Sequence, residues 1–479
     1  MSSPRSENLR IDNAFNRATR RLQAKLRGSV VGPSHPDYDL ARQVYNAMID
    51  RRPRLIVKCR GVADIVTSLK FARRHELALA IRSSGHSAAG HAVCDDGMVL
   101  DLTEMKTVRV DPKAKLAWSD PGATWADFDA ETQAFGLATP GGTVSTTSVS
   151  GLTLGGGIGW LLPSFGLTCD NLVAADVVTA DAHLLHATAD ANSDLFWALR
   201  GGGGNFGVIS SFAFRLHDVS SVIAGSLVIP LDGARDALLL FGDLSPSLPD
   251  EVNISPTLFR REDGTPFLSI DMCYRGRLRA GLAYAQTLAK QLKATVSTVR
   301  VQPYIRWQRY LDPLFAVRMR GYWKSLFVEQ YNASFVDTIV DYYCRAPSRH
   351  SSVILESFHG AVKRVPPHAS AYSNRHKSHS LLIATRWHDP ADDAANVGWT
   401  AAFGAAVTHF SDGSGYLNYM SDVDQSLVTR SYDTTTHERL VAIKRQYDPT
   451  NTFRFNHNIR PGTTPLTYSS ARPQDAPDA

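Results

Sequence analysis

The sequence predicts a two-domain α+β protein. Three observations carry that prediction: a β-α-β rhythm from Arg54 to Ile81, a series of glycine-rich loops from Gly85 to Gly207, and a change of texture near Ser220. Beyond Ser220 strands and helices alternate without glycine clusters, which marks a second domain running to about Met420.

Composition narrows the class. The chain has 479 residues, 43% hydrophobic and 20% charged, as an ordinary globular protein with sizeable cores would. Its net charge of +5 is the small difference of 51 basic and 46 acidic residues spread along the sequence, and no basic block with interleaved aromatics occurs. That argues against nucleic acid. Cys59, Cys94, Cys169, Cys273 and Cys344 are few and far apart, and read as reduced thiols. Met1 to Arg21 lacks the apolar run of a secretory signal, and no later run reaches the length of a membrane span. A cytoplasmic protein that meets no membrane is expected.

In chain order, apolar residues recur at helical spacing over 14–27 and 39–49, with Pro33 and Pro36 between. Arg54 to Cys59 reads as a strand, Val62 to His75 as a helix and Ala78 to Ile81 as a strand. The last stops at Arg82-Ser83-Ser84-Gly85-His86-Ser87, a loop whose small residues let backbone N–H groups and hydroxyls approach an anion such as a phosphate-bearing ligand. His86, His91 and Cys94 are also zinc-ligand types, but no second Cys/His pair at recognised spacing follows. Met98 to Leu102 and Val108 to Val110 read as strands, and Trp125 to Phe135 as a helix.

Seven glycines then fall in the nineteen residues from Gly141 to Gly159. Each would cost about 1 kcal/mol inside a helix relative to alanine, so they belong where backbone wraps a ligand. A flexible linker would be more polar than a stretch interleaved with Val149, Leu152, Leu154, Ile158 and Trp160. Gly202, Gly204 and Gly207 satisfy G-x-G-x-x-G, but a helix (Ser193 to Leu199) precedes them and a strand (Val208 to Leu216) follows, the reverse of a dinucleotide fingerprint.

In the second domain Val222 to Ile229, Ile254 to Phe259 and Phe267 to Tyr274 read as strands and Ala280 to Leu292 as a helix. Most of the aromatics between Tyr304 and Tyr343 suit a core, while Arg320-Gly321-Tyr322-Trp323-Lys324 is polar enough to line a pocket. Gly415 to Met420, with Tyr416 and Tyr419, alternates like a strand. A helix from His437 to Arg445 leads to Asn456-His457-Asn458, whose amides suit a heteroaromatic ligand or a turn equally.

Taken together, S-G-H with its A-G-H-A-V-C extension, T-P-G-G-T, G-L-T-L-G-G-G-I-G-W-L, G-L-T-C-D-N-L, D-L-F-W-A-L-R-G-G-G-G-N-F-G-V, Y-L-N-Y and Y-D-P-T-N-T-F-R-F-N-H-N-I resemble, in content and order, the flavoprotein oxidases of the berberine bridge enzyme type. The resemblance covers residues 53–461. It implies a PCMH-type FAD-binding domain over 1–219, a substrate domain with an antiparallel sheet and flanking helices over 220–420, and a return to the first domain over 421–465; the Pro-, Ser-, Thr- and Asp-rich composition from Gly462 onward predicts a disordered tail over 466–479.

The resemblance also implies FAD held covalently, its 8α-methyl bonded to His86. Cofactor contacts carried over residue by residue are Arg82, Ser83, Ser84, Gly85, Ser87, Gly141, Gly142, Thr143, Val144, Ser145, Thr147, Gly151, Gly155, Gly156, Gly157, Gly159, Asp170, Asn171, Val208, Asn456 and Asn458. Doubly tethered members carry a cysteine where this chain has Val144, so a single bond is expected. His457 stands where many members have glutamine.

Tyr419 matches the tyrosine that faces the flavin and is assigned acid/base work or substrate positioning. Since a free tyrosine titrates near ~10, base work would need a neighbouring cation, for which Arg320 and Lys324 are the candidates. Tyr322, Trp323 and Tyr416 join Arg320 and Lys324 as substrate candidates. Thr147 stands where the family tunes oxygen access, and by that resemblance its small polar side chain favours an oxidase passing electrons from a small alcohol, amine or phenol, in secondary metabolism, to O2. The competing readings are a dehydrogenase or oxygenating tailoring enzyme, a flavin-binding protein without turnover, and a metal-dependent hydrolase built on His86, His91 and Cys94. No resident metal is expected, and the assembly expected is a monomer or homodimer.

Overall fold

In the computed structural model, which describes residues 4–422 and 424–462, three sheets of four or more strands carry the chain, and a fourth pairs only His217–Asp218 with Leu137–Ala138. The tail over 466–479 lies outside the described residues. The first sheet takes the strands Ser29–Val31, Leu55–Lys58, Met98–Asp101 and Leu79–Arg82 in that spatial order. The helix Val62–Arg74 joins Leu55–Lys58 to Leu79–Arg82, and Met98–Asp101 inserts between them, parallel to both. Met98, Val99 and Leu100 are fully buried, as a strand covered on both faces must be.

The second sheet is antiparallel, in the order Val108–Asp111, Leu116–Ser119, Val208–Arg215, Leu172–Val178 and Leu184–Ala187. The glycines of Gly201–Gly207 leave the helix Ser193–Leu199 and enter the strand Val208–Arg215, so they do not open a Rossmann unit.

The third sheet has eight strands, paired antiparallel throughout. Its main run is Ser221–Pro230, Pro266–Tyr274, Val252–Arg260, Ser352–Ser357, His379–Trp387 and Arg320–Val328. Side chains alternate between its faces. Leu268, Ile270 and Met272 pack with Val252, Ile254, Val353, Leu355, Leu381 and Ile383 in one core. The helices Leu231–Leu244, Leu278–Gln291, Ala333–Cys344 and Asp393–Val407 cover that face. The opposite face carries Asn253, Ser255, Thr257, Asp271, Ile354, Glu356 and Leu382 onto a cavity shared with the glycine-rich loops.

Two expected elements are corrected. The helical periodicity over 39–49 yields only the turn of helix Tyr38–Ala41. Beyond it the backbone donors leave the local ladder: Tyr45 N bonds Gly85 O at 3.0 Å and Ala47 N bonds Met319 O at 2.9 Å. Asn46 Nδ2 reaches Ala88 O and Gly321 O, each at 2.8 Å, and locks this departure. The strand expected over 415–420 is instead the 3₁₀ turn Leu417–Tyr419, with Met420 N bonding Leu417 O at 3.2 Å.

The helix Thr434–Tyr447 returns the chain to the first two sheets. Buried Lys444 fixes it there, its Nζ reaching Asn205 O at 2.8 Å, Asp448 Oδ2 at 2.7 Å and Phe453 O at 2.9 Å.

Candidate active site

A cavity of about 340 Å³ lies between the glycine-rich loops and the third sheet. From the expected set it is lined by Ser83, Ser84, Gly85, His86, Ser87, Gly142, Thr143, Val144, Thr147, Gly151, Gly155, Gly159, Val208, Asn456, Trp323 and Tyr419. Two hydrogen bonds stitch the first loop to the next glycine segment. Ser84 Oγ accepts from Ser148 N at 2.9 Å, and Thr146 Oγ1 lies 3.1 Å from His86 Nε2.

His86 is fixed on a second side. The Tyr45 ring stacks on its imidazole, 4.4 Å between centroids and 19° from parallel. Burial pulls the His86 pKa down to about 4, so the ring is neutral at pH 7 and keeps a lone pair. That is the protonation state a nucleophile requires.

The other wall of the cavity holds a tyrosine and a carboxyl group. Tyr419 Oη donates to Glu356 Oε1 at 2.9 Å. Burial pushes Glu356 up to about 7, and burial together with the Glu356 charge pushes Tyr419 well above its ordinary value. The expected cation is therefore a correction. Arg320 is paired with Asp393, and Lys324 Nζ lies 2.7 Å from Asp422 Oδ2, in both cases away from the cavity lining. Both cations have nearer carboxylates outside the cavity, and both lie partly exposed.

Other expected contacts also stand behind the wall instead of in it. Arg82 faces Asp101 across the parallel strands and binds its Oδ2 through Nη2 at 2.5 Å. Both side chains are buried, which commits that guanidinium to the fold. Asp170 is likewise committed to Arg375, whose Nη1 lies 2.7 Å from Oδ2, and Asn171 Nδ2 bonds Phe165 O and Leu167 O at 3.0 Å. Ser145 Oγ donates to Asp312 Oδ2 at 2.6 Å, and Asn458 O accepts from Gln425 Nε2 at 3.1 Å.

Gly141 and Gly156 admit the rings of Trp125 and Tyr372, since a Cβ at either would stand 2.5 Å or 2.7 Å from ring carbon. Gly157 N donates to Tyr416 Oη at 3.0 Å, and Asn418 Nδ2 donates to the same oxygen at 2.8 Å, so Tyr416 ties two loops together. Tyr322 donates to Asp422. Asn418 lines the cavity, and the expected contacts named here shape it from outside.

Several lining groups escaped the sequence reading. Glu356 and Asp271 are single acids inside the apolar strands V-I-L-E and S-I-D-M, and that isolation was the available signal. Cys94 is buried against Ala78 O and Met98 O, as packing requires. His91 instead lines the cavity, its ring edge-on to His457 at 4.9 Å. Burial lowers the two histidines to about 3 and about 4. Among the described residues no group of three or more His, Cys, Asp or Glu could hold a metal ion.

The wall suits a large cofactor with polar and aromatic parts. His91 Nε2, His457 Nδ1 and Asn456 Oδ1 are buried without hydrogen-bond partners among the described residues, and a Cβ at lining Gly204 would meet nothing within 4 Å. Unpartnered donors and acceptors beside open space are what a bound ligand completes.

Residues 53–188 match the family described as FAD binding domain, and residues 415–460 match berberine and berberine like. An FAD-linked oxidoreductase of Dictyostelium discoideum is 30% identical over 421 residues, 87% of this chain and 91% of that protein. The (R)-6-hydroxynicotine oxidase of Paenarthrobacter nicotinovorans is 29% identical over 456 residues, 91% of this chain and 97% of that protein. The crystal structure of 6-hydroxy-D-nicotine oxidase from Arthrobacter nicotinovorans superposes with a TM-score of 0.83 at 26% identity, covering 91% of this chain and 98% of that one.

Proposed function

From the premise that this chain belongs to the berberine-like FAD-linked oxidoreductases, we propose that it is an oxidase that holds FAD through one covalent bond to His86 and oxidises a small alcohol, amine or phenol. The observation that carries the reading is one cavity with a neutral, doubly braced histidine on one wall and the Tyr419–Glu356 pair on the other.

Bound FAD would supply the hydride acceptor, with O2 as the final oxidant and H2O2 as the product. Ser84, Ser87, Gly142, Gly151, Gly204 and Asn456 offer the wall that would hold it. Val144, with no thiol, leaves His86 as the single tether.

The substrate's proton is handled by the chain itself. Tyr419 is a poor base alone, because its phenol is held protonated. Its proton already points at Glu356, so a substrate O–H or N–H gives its proton to the Tyr419 oxygen as the phenol gives its own to Glu356 Oε1. Glu356, near about 7, is matched to that work at neutral pH. Thr147 turns its hydroxyl to Val144 O at 2.8 Å and adds little bulk to the wall, which supports access for O2.

Acid precipitation of the purified protein tests the tether, since covalent flavin stays yellow in the pellet. A substrate panel read by peroxide release tests the oxidase. A colourless pellet from a yellow solution would remove the first claim, and turnover without peroxide the second.

A further inference from the structure

The cavity face of the third sheet carries one polar row. Ser226 pairs with Asp271 and Asp271 with Ser255 in adjoining strands, while Glu356 pairs with Ser380. Thr257 pairs with Ile354, so the same register continued by two residues sets Glu356 opposite Ser255. Residues directly opposite share a face. Asp271 and Glu356 are thus two strands apart on the cavity side, about 10 Å at ordinary strand spacing.

Asp271 is 1% exposed yet lines the cavity. Its hydrogen bonds converge on one oxygen: Ser226 Oγ reaches Oδ1 at 2.6 Å, Ser269 Oγ at 2.7 Å and Tyr310 Oη at 3.4 Å. No donor among the described residues reaches Oδ2. Leu311, Phe315, Trp323, Ile354 and Leu382 make the surrounding wall apolar, and no Lys or Arg is among the described lining residues. The Tyr419–Glu356 pair uses none of this.

We propose that Asp271 is the substrate's distal anchor, taking a protonated amine through Oδ2 while the carbon to be oxidised lies beside Tyr419. Neutral donors already occupy Oδ1, and a further hydroxyl would leave the buried charge without a counter-charge. An ammonium supplies both the donor and the charge. The same carboxylate repels acidic substrates, so the substrate class is a basic metabolite with an apolar body, its amine remote from the reacting carbon. The assignment of the reacting end rests on the function proposed above.

Calorimetric titration of the anaerobic holoenzyme with 4-phenylbutylamine, 4-phenylbutan-1-ol and 4-phenylbutanoate tests this without turnover. The amine is expected to bind at least tenfold tighter than the alcohol, and the acid weakest. Asp271→Asn is expected to remove that preference while changing the alcohol's affinity less than twofold, and Glu356→Gln to keep it. An amine bound no tighter than the alcohol by the unaltered enzyme overturns the proposal, and that arm stands even if Asp271→Asn fails to fold. Equal loss for amine and alcohol in Asp271→Asn, or loss of the preference in Glu356→Gln, overturns it too. If Glu356→Gln keeps full turnover, the proposed reaction centre fails while the Asp271 result still stands.

Discussion

Tyr419 Oη donates to Glu356 Oε1 at 2.9 Å, joining the turn Leu417–Tyr419 to the strand Ser352–Ser357 across the cavity wall. Tyr416 packs edge-on to Tyr419 at 4.7 Å and holds its ring in place. A phenol with its proton already aimed at a carboxyl group of raised pKa suits the relay proposed above, which has a pH signature.

For the proton to move, Glu356 must be ionised. The rate should therefore fall as pH drops through about 7, the value to which burial raises Glu356. Glu356→Gln should lower kcat about a hundredfold or more and flatten that limb of the kcat/KM profile; Tyr419→Phe should lower kcat comparably. An unchanged acidic limb in Glu356→Gln would assign the ionisation elsewhere.

The covalent attachment proposed above requires a neutral, oriented His86. His86→Ala should give a colourless acid pellet, and Thr146→Val, which removes the hydroxyl 3.1 Å from Nε2, should lower the fraction of flavin that survives acid without abolishing binding. Yellow His86→Ala pellets would place the bond on another residue.

Arg82 and Asp101 form a buried pair outside the cavity lining. Leaving either charge alone should cost about 3–5 kcal/mol of stability in denaturant unfolding of Arg82→Ala or Asp101→Ala. Weakened flavin binding at unchanged stability would return Arg82 to the cofactor.

Asp129 is buried, and Gln308 Nε2 links it to Gly142 O at 3.4 Å. Its Oδ2 accepts from Gln308 Nε2 at 3.1 Å, while Asp129 Oδ1 and Gln308 Oε1 have no partner among the described residues. Burial raises its pKa to about 7, so the fold binds this proton more tightly than the unfolded chain does. Its contribution is complete below the unfolded value, declines as pH rises between about 4 and 7, and is flat above. Asp129→Asn, which removes the charge and offers Gln308 Oε1 a donor, should raise Tm at pH 8 more than at pH 5. Equal shifts at both values would show that Asp129 does not titrate there.

Much of this was legible in the chain. Helix Val62–Arg74 and helix Ser193–Leu199 follow local periodicity, and the strands of the third sheet follow alternation, because their buried faces match a short repeat. Strong local pattern still lost at Tyr45 and Asn46, where bonds to Gly85, Ala88 and Gly321 outcompete a helix. That exchange is what sets a tyrosine ring on His86.

The sequence by itself determined the family and singled out the glycine-rich segments, His86 and Tyr419 as candidates, since these rest on residue types in a fixed order. Only the tertiary structure decided which charges reach the cavity. Arg82, Asp170, Arg320 and Lys324 are drawn off by carboxylates or cations remote in sequence, whereas Glu356 and Asp271 are carried in by strand register. The reason is physical: a charge goes where its nearest counter-charge and its burial put it, and both are properties of packing, which residue order does not display.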